Sequence, residues 1–131
     1  MNAKSLMLLR GLPGSGKTTL AGLLVTIPGA VAVSADDYPG RYDVEDAFLK
    51  EEAHDWCLFQ TERHMLRKAP VIVVHNTFVT REEIYPYRDL AQAYGYRLFV
   101  VTVEGDHWSE HRVPREVMEK MRRDWEPWPG G

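Results

Sequence analysis

Residues 8–24 read LLRGLPGSGKTTLAGLL: an apolar run, a segment carrying Gly11, Gly14 and Gly16, then a lysine, two threonines and a second apolar run. The centre, Gly11-Leu-Pro-Gly14-Ser15-Gly16-Lys17-Thr18, fits the pattern G-x-x-x-x-G-K-[ST] and sits between a predicted strand and a predicted helix, as that pattern requires. The glycines let the backbone curl tightly enough to aim consecutive N–H groups at phosphate oxygens, and the following helix adds the positive end of its dipole. Lys17 can reach the outer phosphates, and the Thr18 hydroxyl is placed to ligate Mg²⁺. Gly11, Pro13, Gly14, Ser15, Gly16, Lys17, Thr18 and Thr19 are therefore the expected contacts of a nucleoside triphosphate and its Mg²⁺.

Outward from this loop the chain alternates short apolar runs with longer amphipathic ones. SLMLLR (5–10) predicts a strand, and KTTLAGLLVT (17–26) a helix closed by Pro28 and Gly29. AVAVS (30–34) predicts a second strand that runs into Asp36 and Asp37. Asp43 to Lys68 predicts one long helix, with Glu45 and Asp46 in its first turn and Arg67 and Lys68 in its last, as the helix dipole favours. VIVVH (71–75) predicts a fully buried strand. Thr80 and Glu83 offer a capping box for a helix that ends at Gly95, with Pro86 expected to kink its first turns. YRLFVVTV (96–103) predicts a fourth strand, and Arg115 to Glu126 a last helix with Val117, Met118, Met121 and Trp125 on one face. Trp56, Phe59 and that last stripe read most simply as core.

Strands that are nearly continuous apolar runs and alternate with helices predict an α/β fold. The expectation is a P-loop NTPase fold, a small parallel sheet of about four strands with helices on both faces, in a single domain over 1–131. In such sheets ligands bind at the carboxyl ends of the strands. The segments just past the four strand ends are the glycine loop, ADD (35–37), HNT (75–77) and EGDHWSEH (104–111), so the polar chemistry converges on one edge. Composition sets outer limits: 131 residues with 44% hydrophobic content can bury one core, and a net charge of -3 without a basic tail announces neither a nucleic-acid-coating protein nor a membrane partner. Cys57 is the single cysteine, which excludes an internal disulfide, and the apolar run at 5–9 is too short for a signal peptide core or a membrane span. A cytoplasmic protein is expected.

The fate of the γ-phosphate turns on the second strand end. Asp36 and Asp37 lie on the turn neighbouring the glycine loop, where a carboxylate can take a proton from an attacking hydroxyl, as in kinases; the same SADDY segment also suits an Asx-type turn. The strand VIVVH ends in His75, where a Walker B strand would end in Asp. His54 and His64, ten apart on the long helix, are not at metal-ligand spacing. Tyr38, Arg41 and Tyr42 can stack on and hold an acceptor nucleotide, or simply form a turn around Pro39 and Gly40.

RGLPGSGKTT, SADDY, AH (53–54), NT (76–77), PY (86–87), LA (90–91) and HRVPREVMEKM (111–121), in this order and spacing, resemble the P-loop kinase family of phage polynucleotide 5'-hydroxyl kinases and NEDD4-binding protein 2-like kinases. The resemblance runs from Leu6 to Trp125. It implies an adenylate-kinase-like sheet, ATP with Mg²⁺ as donor, and γ-phosphoryl transfer to a hydroxyl, most simply of a polynucleotide. By position it implies Asp36 as general base, Lys17 and Thr18 as phosphate and metal contacts, Asn76 and Thr77 as an acceptor-side or strand-tip polar pair, and His111 in a lid-like segment; Asp37 is free to hold the turn or the acceptor. The chain departs from the family where His75 replaces an Asp, where NTF replaces NTN, and where His107 and Trp108 stand roughly in place of the family's paired lid arginines. Arg112 is then the candidate for meeting charge on the migrating phosphoryl group, with Arg115 in reserve. A small-molecule hydroxyl acceptor, or a nucleotide-binding module without transfer, are the competing readings.

Overall fold

Four strands, all parallel, form one sheet in the order β2-β3-β1-β4, with β1 at Ser5–Arg10, β2 at Val31–Val33, β3 at Val71–Asn76 and β4 at Arg97–Thr102. The structure, a computed structural model, describes residues 3–40, 46–105 and 113–129. Four helices accompany the strands: α1 (Lys17–Leu24), α2 (Ala47–Leu66), α3 (Arg81–Tyr94) and α4 (Arg115–Asp124). The expected α/β architecture is observed.

The central strands are apolar on both faces because both faces are covered. Leu6 and Leu8 of β1 join Ile72 and Val74 of β3 against Ala53 and Cys57 of α2 and Ile84 of α3. Leu9 and Val73 point the other way and pack on Ala21 of α1. All six of those strand residues have no exposed surface, and each such side chain contributes about 1.5–3 kcal/mol through burial, so the middle of the sheet is the rigid platform. The register pairs Arg10 with Asn76 on one side and with Thr102 on the other, which brings three strand ends level.

The helices follow their local signals. α2 buries Ala53, Cys57, Thr61 and Met65, a stripe at four-residue spacing. Phe59, expected in the core, lies off that stripe and is 58% exposed. The helix begins at Ala47, because the Asp46 side chain caps it by accepting from the N–H groups of Phe48 (3.0 Å) and Leu49 (3.2 Å). Asp43 and Glu45 of the longer helix expected from sequence lie outside the described residues. Lys68, with φ 61, turns the chain away at the other end. At α3 the Glu83 carboxylate accepts from the Thr80 N–H at 3.3 Å, part of the expected capping box, and Gly95 closes the helix with φ 74. That helix continues through Pro86. Among the described residues no helix is long and apolar enough to cross a membrane.

Candidate functional site

The glycine loop is fixed from three sides. Gly14 and Gly16 hold φ values of 83 and 102, which side chains with a Cβ rarely adopt. At Gly11 the constraint is space, since a Cβ there would sit 2.6 Å from the carbonyl oxygen of Val103. The Gly11 N–H donates to the Thr77 carbonyl (3.2 Å), and the Gly105 N–H donates to the Ser15 carbonyl (2.9 Å), tying the loop to the ends of β3 and β4. Lys17, first residue of α1, turns back over the loop and donates to the carbonyls of Gly11 (2.6 Å) and Leu12 (3.0 Å). Burial pushes its ammonium down to about 8, while the charge of Asp36 pulls it back up. Thr18 and Thr19 stand exposed on the next positions of the same turn.

Asp36 owes its position to a buried brace. After β2 the chain forms a short 3₁₀ turn, Ala35–Asp37, in which the Ser34 hydroxyl accepts from the Asp36 N–H at 3.1 Å. Asn76, at the end of β3, accepts from the Ala35 N–H at 2.8 Å through Oδ1, which also lies 3.4 Å from the Ser34 hydroxyl. Its amide nitrogen is 3.5 Å from the Cys57 sulfur. The carboxylates of Asp36 and Asp37 remain exposed, that of Asp36 on the side of Lys17.

A second set of groups lies on the far side of the loop. Arg10, the last residue of β1, is completely buried. Its Nε and Nη2 donate to the Phe78 carbonyl (3.0 and 2.6 Å), and Nη2 also reaches the carbonyls of Val79 (3.2 Å) and Glu126 (2.7 Å). The guanidinium stacks 4.0 Å from the Trp125 ring centre. Phe78, held this way, is buried with φ 48, a strained value for a bulky residue. The Trp125 so held helps wall a cavity of about 330 Å³. Leu12, Ser15, Thr102, Glu104 and Arg122 complete most of that wall. The Ser15 hydroxyl is buried there without a hydrogen-bond partner among the described residues.

The profile of the AAA domain family matches residues 6–108. The chain belongs to this AAA domain family. Human (Homo sapiens) NEDD4-binding protein 2 is 37% identical over 116 residues, 86% of this chain and 6% of that protein. Mouse (Mus musculus) 2',3'-cyclic-nucleotide 3'-phosphodiesterase is 37% identical over 106 residues, 75% of this chain and 23% of that protein. The AAA domain thus spans under a quarter of either relative. Among solved structures, Mycobacterium tuberculosis APS kinase CysC, in complex with AMPPNP and APS, superposes with a TM-score of 0.60 at 19% identity over 95% of this chain and 70% of that one. At that identity the likeness shows the fold, a P-loop kinase-like one.

Within this AAA domain the structure brings together the glycine loop, Lys17, Thr18, Asp36, Asp37 and His75. Arg41, His111 and Arg112 lie outside the described residues, as do Tyr42, His107 and Trp108. Asn76, expected from the resemblance on the acceptor side or at the strand tip, is the last residue of β3, is 6% exposed and is engaged with the turn after β2. Thr77 contributes its carbonyl to the glycine loop. Strand alternation sets these places: Ile72 and Val74 pack on α2, where the Asn76 amide also meets Cys57, and Val73 packs on α1, the side that His75 shares by parity. Sequence reasoning gave no role to Arg10 or Arg122 and put Trp125 in the core; Arg10 and Trp125 act through contacts that join distant parts of the chain, and Arg122 lines the cavity beside them. Burial lowers the pKa of the His75 imidazole, the carboxylates of Asp37 and Asp36 oppose this, and Lys17 adds to it.

Mg²⁺ fits this donor set in one way only. Among the described residues no three His, Cys, Asp or Glu side chains form a group able to hold an ion. An ion here must bring most of its oxygen ligands with it, as one chelated by a triphosphate does.

Proposed function

We propose that this domain is an ATP-dependent phosphotransferase that moves the γ-phosphoryl group to a hydroxyl, with a polynucleotide 5'-hydroxyl end or a hydroxyl-bearing modified base as acceptor. The observation that carries the reading is the juxtaposition of the phosphate loop with Asp36, a carboxylate near enough to Lys17 to support its charge. A loop built only to hold nucleotide has no need of an exposed carboxylate braced beside it.

In this reading the loop N–H groups and Lys17 hold the β- and γ-phosphates, and the cavity beside Trp125 and Arg122 takes the base, with a volume in the range of ligand pockets. Thr18 would hold the Mg²⁺ carried by the nucleotide, an ion that neutralises phosphate charge when bound. Asp36 accepts the proton of the attacking hydroxyl; the hydroxyl oxygen of the acceptor forms the new bond to the γ-phosphorus as the bond to the β–γ bridging oxygen breaks and ADP leaves. Arg112 or Arg115 meets the charge on the migrating group, and Asp37, Arg41 and His111 remain proposals for the acceptor side. A cytoplasmic setting belongs to the same proposal.

A second acceptor class has one specific observation in its favour. The chain carries a formal net charge of -3, and the His54 imidazole on α2 senses the carboxylates of Glu83, Asp36 and Asp55 as well as the ammonium of Lys50. A net negative charge disfavours a phosphodiester backbone and suits a neutral or cationic small molecule. Labelled γ-phosphate transfer from ATP to 5'-hydroxyl DNA, 5'-hydroxyl RNA, base-modified DNA, nucleosides and sugars tests both. Label on a nucleic acid supports the first reading, and label on a small molecule alone replaces it with the second. ATP binding with no transfer to any acceptor leaves a nucleotide-binding module.

Nucleotide affinity is expected to fall as pH rises above about 8. In the free protein Lys17 loses its proton through that range; bound phosphates raise its pKa, so binding above it takes up a proton. The sign is therefore weaker binding at higher pH, by up to about tenfold per pH unit, with no contribution from Lys17 at lower pH where both states are charged. Calorimetry in buffers of different ionisation enthalpy measures the uptake directly. Proton release on binding at pH 9 would show that Lys17 is not the phosphate contact.

A further inference from the structure

We propose that His75 contacts the divalent ion at this site and makes it select a borderline cation that accepts nitrogen ligands, with Mn²⁺ as the probe, over Mg²⁺. The inference rests on the nucleotide-binding reading above and concerns which ion accompanies the nucleotide.

The placement follows from packing. Val73 of β3 and Leu9 of β1 pack on Ala21 of α1, and Leu9 is also paired with His75. Two residues along a strand advance it by about 6.7 Å, so His75 lies that far beyond Val73 on the same face, toward the carboxyl edge. α1 starts at that edge and runs back over the sheet, and four residues of helix cover about 6 Å. One turn before Ala21 therefore lies level with His75, and the residues there are Lys17 and Thr18. Electrostatics agrees with the packing, since the imidazole senses Asp37, Asp36 and Lys17.

His75 thus lies on the sheet face covered by α1, level with the first turn of that helix, which carries Thr18, the residue proposed above to hold a nucleotide-borne ion. An Asp at this place would offer a hard, charged oxygen suited to Mg²⁺; an imidazole offers a neutral nitrogen of intermediate softness. Burial helps, because it disfavours the protonated ring, which cannot ligate. Since the protein lends few ligands of its own among the described residues, one nitrogen is a large share of what it adds, and the ion preference should follow it.

The test uses the full chain with AMPPNP. Calorimetry with Mg²⁺, with Mn²⁺ and with EDTA should give binding at least about tenfold tighter for Mn²⁺ than for Mg²⁺, and His75→Asp should lower that ratio about tenfold. In the wild-type complex, spin-echo modulation of bound Mn²⁺ should show coupling to an imidazole ¹⁴N that His75→Asp removes. The wild-type spectrum alone decides the matter should the variant fold poorly. Nucleotide binding with no ¹⁴N coupling, or with the same Mn²⁺/Mg²⁺ ratio in both proteins, overturns the inference and leaves the nucleotide site standing. No AMPPNP binding under any condition overturns both.

Discussion

Arg10→Met is expected to destabilise the fold by about 2–4 kcal/mol, a shift of roughly 10 °C in Tm for a chain of this size. Arg10 is fully buried and donates to three carbonyls, those of Phe78, Val79 and Glu126. Methionine fills much of the volume and removes the cost of burying a charge, which works in the variant's favour. Against that, several buried carbonyls lose their donors at once, at about 1–3 kcal/mol each before water or local movement relieves them. The strained backbone at Phe78, with φ 48, loses the groups that hold it, and Trp125 loses its stacking partner. The losses outweigh the gain. Arg10→Lys should recover little, because one ammonium cannot fork between separated carbonyls or lie flat on an indole. Urea denaturation measures the difference; a change below about 0.5 kcal/mol for Arg10→Met would mean the arginine is only a space filler.

Arg10 also marks where the sequence stops being legible. The strand SLMLLR can be read from its apolar run, but nothing local says that its last residue turns inward to meet carbonyls 68 and 116 positions away. Elements whose signals are local came through with small errors of extent: β1 matches at both ends, β3 runs one residue further than read, and α4 stops two residues earlier. The glycine loop was legible because its function constrains φ, spacing and flanking elements together. Asn76 was legible only as one of two places, the acceptor side or the strand tip. The resemblance supplied its role, while strand parity, available from the same residues, puts it on the face of Ile72 and Val74 and puts His75 toward the loop. The cavity walled by Leu12, Thr102 and Trp125 depends on how α4 returns to the sheet edge, which no local pattern encodes.

Asp36→Asn is expected to reduce phosphoryl transfer by ~10² to 10⁴ while leaving Mg-ATP binding near pH 7 close to that of the parent. The side chain is exposed, and the turn that carries it is held by Ser34 and Asn76 through backbone N–H groups, so the exchange keeps the scaffold. Asparagine matches the carboxylate in size but cannot accept the hydroxyl proton as the new bond forms. It also removes a negative charge that supports the Lys17 ammonium, so the pH above which nucleotide binding weakens should move below about 8. That second effect is specific to Asp36 standing beside the loop, and a merely unfolded variant would not produce it. Asp37→Asn should be milder in transfer, because neither of its partners in the turn nor the charge on Lys17 depends on it in the same way. Single-turnover transfer to the best acceptor, together with calorimetry at several pH values, separates the two variants. Equal losses from both would assign the rate to the negative charge of the turn as a whole, and transfer unchanged in Asp36→Asn would remove the general base from the mechanism.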